Sequence, residues 1–250
     1  MPASTATLPL SRPSLLDGLA HAALARACAA FRQADAAGQG LPPLLVDATL
    51  GNGHDAAFLL SCAPPEALLL GVDIQPEAVR AATERLTAAR QSRPDCQVQI
   101  FCRGHQDLPQ IWAGLPPHLQ QRPLLAGIFN LGWLPGGDKS CLTQAGTTLA
   151  ALDFLLERLM PQGCLSVHCY TGNQGGPEEE AAVLRRAAAL PPRRWRVVHC
   201  RDANREAAGG RAESLVLMER LPVSRREKQG TDLPPAGMLG RDGRQVQKFF

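Results

Sequence analysis

Two stretches of this chain put chemically capable residues at the spacing of a ligand site. The first is Asp47-Ala48-Thr49-Leu50-Gly51-Asn52-Gly53-His54-Asp55. Gly51 and Gly53 let the backbone turn tightly and approach a ligand, and the helix expected just after them presents unpaired N–H groups. Asp73 stands twenty residues beyond Gly53, where a carboxylate at a strand end accepts hydrogen bonds from ribose hydroxyls. A nicotinamide dinucleotide would use similar geometry, but Ala56 occupies the place of its third glycine, a substitution that is sometimes allowed. Asp47 discriminates further. A carboxylate before the turn suits a cationic, amino-acid-bearing ligand and suits a pyrophosphate poorly, so S-adenosylmethionine fits. The plainer alternative is a structural turn in which Asp47 is a cap and Asp73 a strand-end acid.

The second stretch is Asn130-Leu131-Gly132-Trp133-Leu134-Pro135-Gly136-Gly137-Asp138-Lys139. It follows an apolar run, at the carboxyl edge where open parallel sheets bind ligands. An Asn side-chain oxygen with neighbouring carbonyls can accept hydrogen bonds from an amine and aim its lone pair, while Trp133 can stack on a base. The loop parallels the Asn-Pro-Pro-aromatic loop of amino-group methyltransferases. Asp138 is the candidate for orienting the amine or accepting its proton, with capping of the next helix as the alternative.

These residues need elements to hold them. Leu44 to Asp47, Leu68 to Asp73, Val98 to Cys102, Leu124 to Asn130, Cys164 to Tyr170, Trp195 to Cys200 and Ser214 to Glu219 read as strands, most of them buried on both faces. Pro76 suits a helix start, and Ala78, Val79, Ala82, Leu86 and Ala89 follow on one helical face. The rhythm predicts an α/β fold: a doubly wound, mostly parallel, seven-stranded Rossmann-like sheet. Ser14 to Ala37 reads as an added N-terminal helix. The loop from Asn204 to Arg211 leaves no room for a helix, so the seventh strand pairs antiparallel, as in class I methyltransferases. The expected organisation is one domain over residues 1–220 and a basic, flexible tail over 221–250.

A length of 250 residues with 45% hydrophobic and 20% charged residues excludes a disordered or collagen-like chain. No apolar run is long enough to span a membrane. The net charge of +3 is unevenly spread: Ala181 to Arg211 holds eight arginines against Asp202 and Glu206, a patch that suits a polyanion such as RNA or simply a solvated face. The eight cysteines are scattered without a Cys-x-x-Cys pair and read as buried reduced thiols. Neither they nor the histidines have metal-ligand spacing. The N-terminus only weakly mimics a transit peptide, and a cytoplasmic location is expected. Asp55 suits the helix dipole without a catalytic role, His168 reads as a satisfied core residue, and His118 and His199 have no evident partners.

Taken together, the two stretches and Gly71-Val72-Asp73-Ile74-Gln75 resemble the "putative rRNA methylase" family of class I methyltransferases, over about residues 15 to 220. The family includes a bacterial enzyme that methylates the aminomethyl group of a tRNA wobble uridine. The resemblance implies that Asp47, Gly51, Asn52, Gly53, Asp73, Ile74, His105 and Gln106 bind S-adenosylmethionine. Within that set, Asp47 and the glycines hold the methionine part, Asp73 the ribose, and His105 and Gln106 lie near the adenine. Asn130, Leu131, Trp133 and Asp138 would surround the acceptor amine, and Lys139 would meet a phosphate. Asn173 stands where a family loop usually carries His. His21 resembles a Ser-His element of some members, with helix packing as the plainer role. The implied partner is tRNA, and a dimer is compatible with the resemblance though no residue demands one. Other acceptors, or a noncatalytic RNA-binding module, are the rival readings.

Overall fold

Ser14 opens the first helix because its hydroxyl accepts the Asp17 N–H at 3.1 Å while the Asp17 carboxylate accepts the Ser14 N–H at 2.9 Å, a reciprocal cap. The helix, α1, runs over Leu15–Ala34. The computed structural model describes residues 14–132, 142–202, 204 and 213–222. Within them, β1 (Leu44–Asp47), β2 (Leu68–Asp73), β3 (Gln97–Cys102), β4 (Leu124–Leu131), β5 (Leu159–Tyr170), β6 (Trp195–Arg201) and β7 (Glu213–Arg220) form one sheet in the order β3-β2-β1-β4-β5-β7-β6. Strands β1 to β5 pair parallel, and β7 lies antiparallel between β5 and β6.

The intervening helices are α2 (His54–Cys62), α3 (Pro76–Arg90), α4 (Leu108–Ala113), α5 (Pro117–Gln120), α6 (Ala145–Arg158) and α7 (Gly176–Ala188), with a 3-10 turn over His105–Asp107. Alternation along the strands divides the core in two. Leu45, Leu69, Leu125 and Ile128 pack with α1, α2 and α3, whereas Val46, Leu70, Phe129 and Val167 pack with the α4 to α7 layer. Both faces are therefore closed. Strand order reverses at β1, which lies between β2 and β4, so a crevice is expected beyond the carboxyl ends of β1 and β4.

Three details depart from the sequence expectation. Strand β5 begins at Leu159 rather than Cys164, because Leu159 pairs with Leu124 across a register shift and Gln162 takes φ +69° within the strand. As edge strands, β3 and β6 are largely half-buried or exposed instead of covered on both faces. The seven described cysteines are free, but only Cys28, Cys96, Cys164 and Cys169 are buried; Cys102, at the end of edge strand β3, is exposed. No helix among the described residues is long and apolar enough to cross a membrane. The residues from 223 onward, the bulk of the expected tail, lie outside the described ones.

Candidate active site

The glycine turn is stitched into the sheet on both sides. Ala48 N–H donates to Ile128 of β4 at 2.9 Å, and Leu50 N–H donates to Val72 of β2 at 2.9 Å. Gly51 and Gly53 both take left-handed conformations, φ +48° and +75°. A Cβ at Gly53 would lie 3.0 Å from the Ala82 Cα, so this glycine also admits α3. Asp73 holds the turn from the other side: one carboxylate oxygen accepts the Gly51 N–H at 2.8 Å and the other the Gln75 N–H at 2.9 Å. Ile74, next along, is an apolar side chain left 62% exposed. Asn52 gives its carbonyl to Arg85 Nε at 2.8 Å.

Asp47 is fully buried. Its Oδ1 accepts the Thr49 N–H at 3.2 Å, but its Oδ2 has no partner. Burial, reinforced by the nearby charges of Asp55 and Asp73, pushes its carboxyl well above the usual carboxylate range. A buried, half-satisfied carboxylate is costly, and a cationic ligand arriving at the turn would relieve that cost.

Asn130 stands at the end of β4 with both its backbone and its amide engaged. Its N–H donates to Thr49 Oγ1 at 2.6 Å, and its Nδ2 donates to Asp55 Oδ2 at 2.6 Å. The other Asp55 oxygen lies 2.6 Å from His21 Nε2 of α1. Asp55 is therefore more than a favourable charge at the start of α2: it joins two elements, and no local signal in the sequence marks that link. Leu131 is turned away from this group. It is 1% exposed within the α6-side core, because successive strand residues face opposite sides.

His105 is likewise turned inward, only 8% exposed, with Nε2 3.3 Å from Thr147 Oγ1 and its ring edge-on to Phe129. Burial lowers its pKa, and a hydrogen bond with the Ala48 backbone opposes that fall. Gln106 folds back over Gly104. Asn173, after β5, reaches the end of β4: its Nδ2 would be 3.2 Å from a Cβ at Gly132. Tyr170 packs beside the same glycine, and burial with the charges of Asp17, Glu213 and Asp55 raises its pKa. Trp133, Asp138 and Lys139 lie outside the described residues.

The described residues on either side of positions 133–141 are tied together. Gly132 N–H donates to Thr143 Oγ1 at 2.8 Å, Thr143 N–H returns a bond to the Gly132 carbonyl at 3.1 Å, and Thr143 Oγ1 donates to Glu179 Oε2 at 2.6 Å. Thr148 Oγ1 occupies the other Glu179 oxygen at 2.6 Å. Burial raises the Glu179 pKa. Glu179 stands among the acids that open α7, and no local pattern in the sequence sets it apart. His168 is the satisfied core residue expected, its two ring nitrogens each 3.1 Å from a carboxylate, of Asp17 and Glu213. His199, by contrast, does have a neighbour, Glu180, at 3.8 Å.

The family model described as "Putative rRNA methylase" matches residues 69–218, more than half of the chain. The chain belongs to this family. A curated relative, the chloroplastic tRNA (mnm(5)s(2)U34)-methyltransferase of Arabidopsis thaliana, is 33% identical over 156 residues, covering 60% of this chain and 55% of the relative. The chain thus spans about half the length of that relative. Among solved structures, an rRNA methylase family protein from Clostridium thermocellum superposes with a TM-score of 0.61 at 30% identity, over 77% of this chain and 97% of the other. A methyltransferase-like protein from Streptococcus mutans, solved in complex with SAH, gives 0.62 at 28% identity, over 84% and 100%. The fold is that of class I methyltransferases.

Proposed function

We propose that this rRNA methylase family member is an S-adenosylmethionine-dependent N-methyltransferase acting on RNA, and that its acceptor is the 5-aminomethyl group of a wobble uridine in tRNA. One observation carries the cofactor half: the buried Asp47 carboxylate with an unpartnered oxygen, set beneath a turn of two left-handed glycines. A cation bearing an amino acid answers that orphan; a pyrophosphate would meet like charge. Asp47, Gly51, Asn52 and Gly53 would hold the methionine part, Asp73 the ribose and Ile74 the flat face of the base. Bound there, S-adenosylmethionine supplies an electrophilic methyl on a sulfonium.

The protein's own share is positioning. With Nδ2 tied to Asp55, the Asn130 amide keeps its oxygen for an amine N–H, which aims the nitrogen lone pair. The methyl–sulfur bond breaks as the nitrogen–methyl bond forms, and the amine sheds one proton to a carboxylate or water. For the acceptor, the support is the 33% identity with a tRNA methyltransferase and the exposure of Arg185 on α7 and of Arg193 and Arg194 just before β6. On this reading residues 1–220 form the methyltransferase domain, closed by β7 at Arg220.

The test uses purified protein, labelled S-adenosylmethionine and bulk tRNA from cells able or unable to make the aminomethyl wobble uridine, followed by nucleoside mass spectrometry. Label only in the aminomethyl-containing tRNA is the expected result. Label in neither, with cofactor binding intact, would overturn the acceptor assignment and leave rRNA, protein or metabolite acceptors to be screened.

A further inference from the structure

We propose that His21, carried on the N-terminal helix, is a positioning residue of the acceptor site, acting through Asp55 on Asn130. The inference rests on the reading of Asn130 as the group that orients the amine. Its substance is a continuous array: His21 Nε2 lies 2.6 Å from Asp55 Oδ1, and Asn130 Nδ2 lies 2.6 Å from Asp55 Oδ2. A carboxylate only accepts, so both neighbours must present N–H groups to it. For Asn130 this fixes the amide: turned by half a revolution, its oxygen would face Oδ2, acceptor against acceptor. The Asn130 oxygen is thereby the atom left for a ligand.

Asp55 can impose that choice only if its own rotation is stopped, and the second oxygen is where it is stopped. His21 grips it from another element. The imidazole is itself held by stacking on Phe58, with centroids 3.8 Å apart and planes 8° from parallel. Phe58 lies three residues beyond Asp55 on α2, so the two contacts fall on one helix face and fix the ring in direction and tilt. A histidine needed only for packing would require Phe58 alone. The hydrogen bond to a carboxylate that also holds Asn130 is what packing does not explain. The array is partly open, with His21 and Asp55 side chains 30% and 24% exposed, as expected beside a crevice and unlike the sealed Asp47. Through the His21–Asp55 contact α1 reaches the group that holds Asn130, which makes it more than a covering helix.

The experiment compares full-length wild type with His21→Phe and His21→Gln. Phenylalanine keeps the stack on Phe58 and loses the hydrogen bond; glutamine offers an N–H to Asp55. The expected result for His21→Phe is a single-turnover rate on aminomethyl tRNA reduced roughly ten- to a hundredfold, with S-adenosylmethionine affinity and melting temperature near wild type. His21→Gln is expected to recover most of that rate. A wild-type rate in His21→Phe overturns the proposal, and so does a parallel loss of rate, cofactor affinity and melting temperature that His21→Gln fails to restore. The Asn130 side-chain NH2 resonances provide a readout that needs no substrate. They should shift in His21→Phe and return in His21→Gln, and unmoved resonances overturn the proposal even if wild type methylates no tRNA, a result that would instead count against the acceptor assignment.

Discussion

Replacing Asp47 by asparagine should stabilise the protein while weakening its cofactor binding. The side chain is sealed from solvent, its Oδ1 has one backbone donor, and its Oδ2 has none. Because burial and the charges of Asp55 and Asp73 raise its pKa above that of the unfolded chain, the folded state binds the proton more tightly. Stability from this group is complete below the unfolded carboxylate pKa and is lost as pH rises through the folded one. At neutral pH the wild type therefore bears the cost of a poorly satisfied buried acid. The amide of Asp47→Asn keeps an oxygen for Thr49 and has no charge to bury. The unpartnered position stays unpartnered, as Nδ2 in place of Oδ2, so the gain is the removed charge alone; taken as about 1–3 kcal/mol, and with a melting-temperature shift of about 2–4 °C per kcal/mol, it should make the variant melt roughly 2–12 °C higher. The gap should narrow toward pH 4, where the wild-type carboxyl is protonated. Losing a charge-assisted contact of about 1.5–3 kcal/mol should weaken S-adenosylmethionine binding by roughly ten- to 150-fold. Wild-type affinity itself should rise with pH as this acid ionises, since the cation favours the ionised form. Scanning calorimetry and titration calorimetry measure both halves. A lower melting temperature together with an unchanged Kd would refute the reasoning.

Two further outcomes follow from the clamp and the charge distribution. Glu179→Ala leaves the Thr143 and Thr148 hydroxyls without their shared acceptor and should cost about 1–3 kcal/mol by denaturant titration, with turnover falling more than cofactor affinity because the stem at Gly132 is loosened; equal losses in both would deny it a role in holding the stem. Arg193 and Arg194 are exposed, whereas Arg186 pairs with Asp153 and Arg196 with Glu219 at 3.2 Å. Replacing Arg193 and Arg194 with alanine should weaken tRNA binding and reduce the magnitude of its salt slope by about one to two, and an unchanged slope would mean that these side chains meet no phosphate.

What the sequence made legible follows the range of the forces involved. Strand ends at Asp47 and Asp73, the helix start at Pro76 and the antiparallel seventh strand were readable because alternation, proline and loop length act locally. The start of β5 was hidden because Pro161, Gln162 and Gly163 read as a turn, while the pairing of Leu159 with Leu124 extends the strand across them. Period-two alternation alone could have separated Asn130 from Leu131. Asp55 was illegible for a different reason. It gains its role from partners 34 and 75 residues away, and an acid in the first turn of a helix needs no such partner to be favourable. The same holds for Glu179, whose two threonines lie 36 and 31 residues before it.

The arrangement of charge bears on which residues can matter for rate. Asp47, Asp55 and Asp73 crowd the carboxyl ends of β1 and β2, with Asp17 and Glu213 around Tyr170, while the exposed arginines Arg193 and Arg194 sit beside edge strand β6. The acidic edge favours a cation and repels phosphate, so an RNA acceptor must place its backbone on other surfaces and send only a neutral or cationic group into the crevice. In the proposed reaction, positive charge moves from sulfur to nitrogen and its total within the site does not change until a proton leaves. Carboxylates that stabilise the positive charge before transfer also stabilise it afterwards, so their attraction lowers the energy of both states and contributes little to the difference between them. The barrier is then governed mainly by alignment. That is why the Asn130 amide, fixed through Asp55 and His21, is the group whose disturbance should reduce turnover while leaving cofactor affinity intact, and why Asp47 should behave in the opposite way.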